Sequence, residues 1–123
     1  DCDKDALLVL AKNSGPTCHL NNNSCFLDAP SSQNITNELE QTIDARFKEG
    51  NISSYTYQLY KDGIKEIAKK VTEEAGEVSI SAATNDGRVI DETADLMYHL
   101  LVMLRKLNLS YSDVLQELKN RSN

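Results

Sequence analysis

This chain of 123 residues contains no tryptophan, and nowhere does it hold an apolar run of membrane-spanning length. Its densest apolar stretch, Leu96 to Leu104, is interrupted by His99, whereas a bilayer span needs about 20 consecutive apolar residues. No membrane partner is therefore expected. Positive charge is also scarce. Lys and Arg total 13 against 19 Asp and Glu, for a net charge of −6 and a pI near 4.8. A surface of that sign does not suit nucleic acid or anionic lipid, both of which need a basic face. It still suits a small anionic substrate if a bound cation supplies local positive charge. The opening Asp-Cys-Asp-Lys-Asp has none of the features of a signal peptide, and the expected location is cytoplasmic. It also lacks methionine, so a cleaved product, an engineered piece or the tail of something longer is expected. Three cysteines, all within the first 25 residues, are an odd number, which fits reduced thiols or a metal site better than a disulfide framework.

The chain is expected to divide into a head over 1–30, a linker over 31–36 and a helical domain over 37–123. The head shows no helical periodicity. Ala6-Leu7-Leu8-Val9-Leu10 is a short strand candidate, Asn13-Ser14-Gly15-Pro16 a turn, and a polar loop follows between Cys18 and Cys25. Thirty residues cannot bury a core alone. The composition of Ala29-Pro30-Ser31-Ser32-Gln33-Asn34 reads as linker.

Beyond it the pattern is helical. Leu39, Ile43 and Phe47 recur at helical spacing between Glu38 and Lys48, and Gly50 is a stop signal. Ser53-Ser54 can cap a short helix carrying Tyr55, Leu59 and Tyr60 that closes at Asp62-Gly63. A third helix is expected over about Ile64 to Ala83, with Ile64, Ile67, Ala68, Val71, Ala75, Val78 and Ala82 as its apolar stripe. After Asp86-Gly87 a fourth follows over about Val89 to Leu107. Its second half is apolar nearly all round, which calls for burial on most sides and hints at a homodimer. Ser110 with Asp113 is a capping-box-like start for a last helix over Tyr111 to Lys119.

Two acidic motifs stand out, Glu73-Glu74-Ala75-Gly76-Glu77 and Glu92-Thr93-Ala94-Asp95. Glu74/Glu77 and Glu92/Asp95 are i,i+3 pairs, so on helices each pair shares one face. If the third and fourth helices pack antiparallel across the Thr84–Gly87 turn, four or five carboxylates meet. Like charges that close repel unless a cation sits between them. A divalent cation with oxygen ligands answers this, and Mg²⁺ held so goes on to bind phosphates. Two solvated acidic faces are the alternative. Against it, the carboxylates adjoin the apolar stripes, and basic residues spaced to pair with them are few, Lys69 and Lys70 preceding Glu73 and Glu74. Gly76 inside the first motif is open to two readings, simple tolerance or the close approach of a backbone or ligand. Glu92, Asp95 and His99 share one stripe of the fourth helix.

Leu39-Glu40-Gln41-Thr42-Ile43, Ser54-Tyr55-Thr56, Lys70-Val71-Thr72-Glu73-Glu74-Ala75 and Asp91-Glu92-Thr93-Ala94-Asp95-Leu96-Met97-Tyr98-His99-Leu100-Leu101 resemble the phosphoribosyl-ATP pyrophosphatases of histidine biosynthesis. These are a branch of the all-α nucleoside-triphosphate pyrophosphatases related to MazG. The resemblance covers about residues 37–121. It implies an all-α, MazG-like bundle of four to five helices that forms a homodimer, and Mg²⁺-dependent hydrolysis of phosphoribosyl-ATP to phosphoribosyl-AMP and pyrophosphate. By it, Glu74, Glu77, Glu92 and Asp95 would hold the metal, and Glu73 would hold a second metal or orient the water. Glu73, Glu74 and Glu77 are the catalytic candidates. Lys70, His99, Ser54 and Tyr55 are candidate substrate contacts, each with an ordinary alternative: a solvated lysine, a buried structural histidine, a cap and a packing residue. Gly76, Ser79 and Ser81 are smaller or more polar than that family usually shows. A related pyrophosphatase acting on another nucleoside triphosphate, or a non-catalytic helical interaction module, would share the same architecture.

Cys2, Cys18 and Cys25 are one ligand short of a closed zinc site, and idle thiols are the plain alternative. Their surroundings, Asp-Cys-Asp-Lys-Asp-Ala-Leu-Leu-Val, Gly-Pro-Thr-Cys-His and Ser-Cys-Phe, are similar to the C-terminal end of phosphoribosyl-AMP cyclohydrolases. That resemblance implies Zn²⁺ at the three cysteines, with ligands shared across the dimer, and Mg²⁺ at Asp1, Asp3 and Asp5. The loop after His19 departs from the family pattern and most of the cyclohydrolase is missing, so no cyclohydrolase activity is expected.

Overall fold

The computed structural model describes residues 32–122. Cys2, Cys18, Cys25, Asp1, Asp3 and Asp5, and the strand expected near residue 6, lie outside them. The described residues form a single compact unit of five helices, α1 (Ser32–Glu49), α2 (Tyr55–Asp62), α3 (Ile64–Thr84), α4 (Val89–Lys106) and α5 (Tyr111–Arg121), as an all-α reading requires.

Local chemistry sets the breaks. Gly50 at φ 67° ends α1, and Gly63 at φ 92° separates α2 from α3; both need the left-handed backbone that glycine adopts without a side-chain penalty. Ser54 caps α2 by accepting from the Tyr57 N–H. Asn85 closes α3 at φ 52°, a role asparagine fills next best after glycine. The capping box at α5 is complete, with the Ser110 hydroxyl accepting from Asp113 N–H and the Asp113 carboxylate accepting from Ser110 N–H. Hydrogen bonds to the Asp113 carboxylate from the Ser110 N–H and the Ser110 hydroxyl hold that carboxyl below its ordinary range.

One boundary differs from expectation. The helix α1 begins at Ser32, inside the stretch assigned to a linker over 31–36. Serine and asparagine are favoured at helix starts as well as in turns, so their presence does not separate the two.

The helices α3 and α4 share the largest interface and form an antiparallel hairpin: Glu77 faces Glu92 at one level, and Glu74 approaches His99 nearer the α2 end. The core gathers Ile43 of α1, Leu59 of α2, Ile67 of α3, and Leu101 and Val102 of α4, with Phe47, Tyr98, Met103 and Tyr111 around it. Polar ties lock the remaining helices. Arg105 donates from Nε and Nη2 to both oxygens of Asp44 at 2.9 and 2.8 Å, joining α4 to α1. Glu40 of α1 accepts from the Tyr111 N–H at 2.7 Å, so a second helix supplies part of the α5 start. Lys106 donates to the Tyr60 carbonyl and lies over the Tyr60 ring, 3.6 Å from its centroid.

The apolar stripe of α3 is only partly covered in this single chain. Ile67 is fully buried and Val71, Ala75 and Val78 are half-buried, while Ile64, Ala68 and Ala82 are exposed. Among the described residues no helix is long and apolar enough to cross a membrane.

Within the single chain Gly76 fits simple tolerance. A Cβ built there meets nothing within 4 Å, so nothing among the described residues approaches it closely. Gly76→Ala is therefore expected to stabilise the protein by about 0.5–1 kcal/mol through helix propensity, read from urea denaturation. Ile67→Ala, at a fully buried position, should cost about 2–5 kcal/mol in the same measurement.

Candidate metal centre

The antiparallel register of α3 and α4 decides which acidic side chains meet. Carboxylate oxygens of Glu74, Glu77 and Glu92 all lie within 4.8 Å of one another. Glu92 is buried at 4% exposure, Glu74 is half-buried and Glu77 is exposed, so the cluster opens outward from a buried floor. Asp95 stands one turn along α4, exposed and outside this group of three. Its charge still reaches Glu92, whose carboxyl is pushed above its ordinary value. Burial is the main cause; the charge on Arg88 opposes it, and a hydrogen bond and repulsion from Glu77, with repulsion from Asp95, reinforce it.

Arg88 pairs with Glu92 from one turn earlier on α4. The guanidinium is 65% exposed, so water screens its attraction, and burial with repulsion outweighs it. This basic partner was missed in the sequence reading, although its i,i+4 spacing before Glu92 was there to be read. A latch next to it holds the hairpin turn: Ser81, buried on α3, donates to Asp86, whose carboxylate also accepts from the Arg88 N–H at 2.9 Å.

Glu73 and Lys70 lie together at the rim. Lys70 Nζ is 2.7 Å from Glu73 and Lys69 Nζ 3.9 Å from it. The hydrogen bond from Lys70 lowers the Glu73 carboxyl and raises the lysine in return. Glu73 therefore stands apart from the group of three, neutralised by lysine and weakened as a base.

His99 is buried at 5% exposure, its Nδ1 2.9 Å from the Asp95 carbonyl oxygen and 3.7 Å from Glu74 Oε1. Its Nε2 is 2.9 Å from the Tyr55 hydroxyl. Burial raises the Tyr55 phenol above its ordinary value; the charge on Lys70 opposes this, and the negative charge of Glu74 adds to it. Ser54 is occupied as the cap of α2. Beside these, the Thr56 and Tyr98 hydroxyls meet at 2.5 Å, and Arg46 Nη1 donates to Thr56 at 3.1 Å. Sequence alone gave no sign of this hydroxyl chain, because its members lie on three different helices.

The donor set is all oxygen, carried by carboxylates that repel one another. That is the chemistry of a hard divalent cation such as Mg²⁺, and these residues fit one. Glu74, Glu77 and Glu92 are the residues able to hold it, with Asp95 close by.

Comparison with known proteins identifies the family. Residues 36–122 match the family model described as phosphoribosyl-ATP pyrophosphohydrolase. The chain belongs to that family. Residues 1–27 match the phosphoribosyl-AMP cyclohydrolase model. Among curated relatives, the histidine biosynthesis bifunctional protein HisIE of Yersinia pestis is 47% identical over 122 residues, covering 98% of this chain and 60% of the relative. HisIE of Bacillus subtilis is 46% identical over 128 residues, with 98% and 61% covered. HisIE of Campylobacter jejuni is 46% identical over 124 residues, with 98% and 60% covered. The chain thus spans about three fifths of the length of these relatives.

A carboxyl whose pKa rises on folding costs stability as pH climbs from the unfolded value of about 4.3 through the folded one, because the folded state binds the extra proton in that window. Glu92→Gln should therefore melt at a higher temperature than the parent in EDTA at neutral pH. The gap should close near pH 4, where both side chains are uncharged. Thermal melts at the two pH values check this.

Proposed function

We propose that this chain hydrolyses phosphoribosyl-ATP to phosphoribosyl-AMP and pyrophosphate with Mg²⁺. The observation that carries this is the convergence of Glu74, Glu77 and Glu92 from two facing helices in a member of the pyrophosphohydrolase family. Glu74, Glu77 and Glu92 would hold the metal, and Asp95 would supply a fourth carboxylate from the next turn of α4. When bound, Mg²⁺ offsets the charge of the triphosphate and lowers the pKa of a coordinated water. Lys70 sits at the same rim with its ammonium already directed to an acidic partner, and substrate phosphate would compete for it with Glu73. Glu73, released from that pair, regains strength as a base or ligand.

A homodimer acting in the cytoplasm completes the reading. Ile64, Ile80 and Ile90, respectively 38%, 64% and 79% exposed, leave apolar surface on α3 and α4 that a second copy would cover. Analytical ultracentrifugation of the whole chain is expected to show two copies.

Pyrophosphate release from phosphoribosyl-ATP is the direct test. Activity should vanish in EDTA and return with Mg²⁺. Glu74→Gln and Glu92→Gln should each lower kcat/KM by about 100-fold or more, the order seen when a charged group at the reacting centre is lost. Equal or better turnover of an ordinary deoxynucleoside triphosphate would replace the proposed substrate. Unchanged hydrolysis and metal binding in both variants would leave a non-catalytic helical module.

A further inference from the structure

Among the described residues, Arg46 is the one arginine without a carboxylate partner. Arg88 pairs with Glu92, Arg105 with Asp44 and Arg121 with Glu117. Arg46, exposed near the end of α1, instead donates from Nη1 to the Thr56 hydroxyl at 3.1 Å. A neutral hydroxyl orients a guanidinium without offsetting its charge, and the other N–H groups of the fork remain to donate. In a chain of net charge −6, a cation held in this way is a place where an anion is attracted. The anchor is itself fixed from two helices, since Thr56 is fully buried and its Oγ1 lies 2.5 Å from the Tyr98 hydroxyl of α4.

This anchor adjoins the carboxylate centre. Thr56 follows Tyr55, whose hydroxyl is 2.9 Å from His99 Nε2. His99 follows Tyr98 and lies 3.7 Å from Glu74. Arg46 of α1 and Glu74 of α3 thus meet the same two pairs of neighbours, Tyr55-Thr56 on α2 and Tyr98-His99 on α4. Packed helices stand about 8–10 Å apart, a spacing that a purine with a ribose on either side is long enough to bridge.

We propose that Arg46 binds a phosphate monoester of the substrate, the one at the opposite end from the triphosphate. This rests on the phosphoribosyl-ATP reading above and adds what distinguishes that substrate from ATP. Phosphoribosyl-ATP carries a second ribose phosphate on its base, so its anionic groups sit at both ends of the nucleoside. The carboxylate centre with its metal takes the triphosphate, and the monoester needs a cation that no carboxylate already holds. A planar guanidinium matches phosphate oxygens in pairs, which an ammonium does not. Because Thr56 already orders the fork, less freedom is lost on binding. Lys70, by contrast, lies at the rim of the centre, paired with Glu73.

The test compares hydrolysis of phosphoribosyl-ATP and of ATP by the whole chain with Mg²⁺. Arg46→Gln should lower kcat/KM for phosphoribosyl-ATP by about 10–100-fold, chiefly through KM, the order expected when a hydrogen bond between charged groups is lost. ATP lacks the monoester, and its kcat/KM should stay near the parent value. If the parent does not turn over ATP, product inhibition decides instead. Inhibition by phosphoribosyl-AMP should weaken about 10-fold or more in Arg46→Gln, while inhibition by pyrophosphate should not change. Thermal melts run alongside, and if Arg46→Gln unfolds, Arg46→Lys, which keeps the charge but loses the fork, is judged by the same comparisons. Parent-like kinetics on phosphoribosyl-ATP in the variant overturn the proposal. Equal losses on both substrates, or with both products, overturn it as well, because Arg46 would then be a structural tie to Thr56 or a contact to the triphosphate. If the parent does not hydrolyse phosphoribosyl-ATP at all, the reaction itself is misassigned and the role of Arg46 falls with it.

Discussion

Three carboxylates held within 4.8 Å of one another are a source of repulsion that the rest of the fold has to contain. Helices α3 and α4 are free to bring Glu74, Glu77 and Glu92 together only because other contacts fix their register. Ile67 and the Leu101–Val102 pair supply buried apolar surface on the α2-facing half of the hairpin. The Ser81–Asp86 latch and the left-handed Asn85 close the opposite end. Between these anchors the backbone keeps the acidic positions facing one another. The strain shows in Glu92, whose carboxyl resists ionisation despite an arginine beside it.

The outer helices serve that hairpin. Their ties reach α4 at different heights: Arg105 takes Asp44 of α1, Lys106 takes Tyr60 of α2, and Tyr98 and His99 take Thr56 and Tyr55. Most are polar contacts around a small core, five buried apolar residues among those described. Polar contacts of this kind add little net stability each, but they are directional and fix rotation about the helix axis. Rotation of α4 decides whether Glu92 points into the cluster or into water, so directional ties matter more here than their energy suggests.

Much of this was legible in the sequence, for reasons that can be traced to particular residues. Helical spacing placed Glu74 and Glu77 on one face and Glu92 on the facing one, and the short turn ending at Asp86-Gly87 left an antiparallel hairpin as the simple solution. The Ser54 cap, the Gly50 and Gly63 breaks and the Ser110–Asp113 box follow from chemistry confined to a few neighbouring residues. What was not legible depends on distance through space. Periodicity puts Asp95 on the same stripe as Glu92, yet its side chain stays outside the tight group, which helical spacing alone does not decide, since Glu74 and Glu77 have the same spacing and both belong to it. Lys70 shares a stripe with Glu74 but pairs with Glu73. The engagement of His99 Nε2 by Tyr55 depends on α2 folding back across α4, which no local pattern announces. The start of α1 was misplaced because serine and asparagine serve helix starts and linkers alike.

The exposed guanidinium of Arg88 gives the buried floor of the centre a counter-charge that belongs to the polypeptide itself. It is tethered by its backbone N–H to the Asp86 turn, while its side chain reaches back over Glu92 from the solvent side. Such a group can swing away without disturbing the hairpin, because none of the core depends on it. A newly made chain thus has a provisional occupant for its most repulsive position. A cation entering the cluster would have to displace that guanidinium from Glu92.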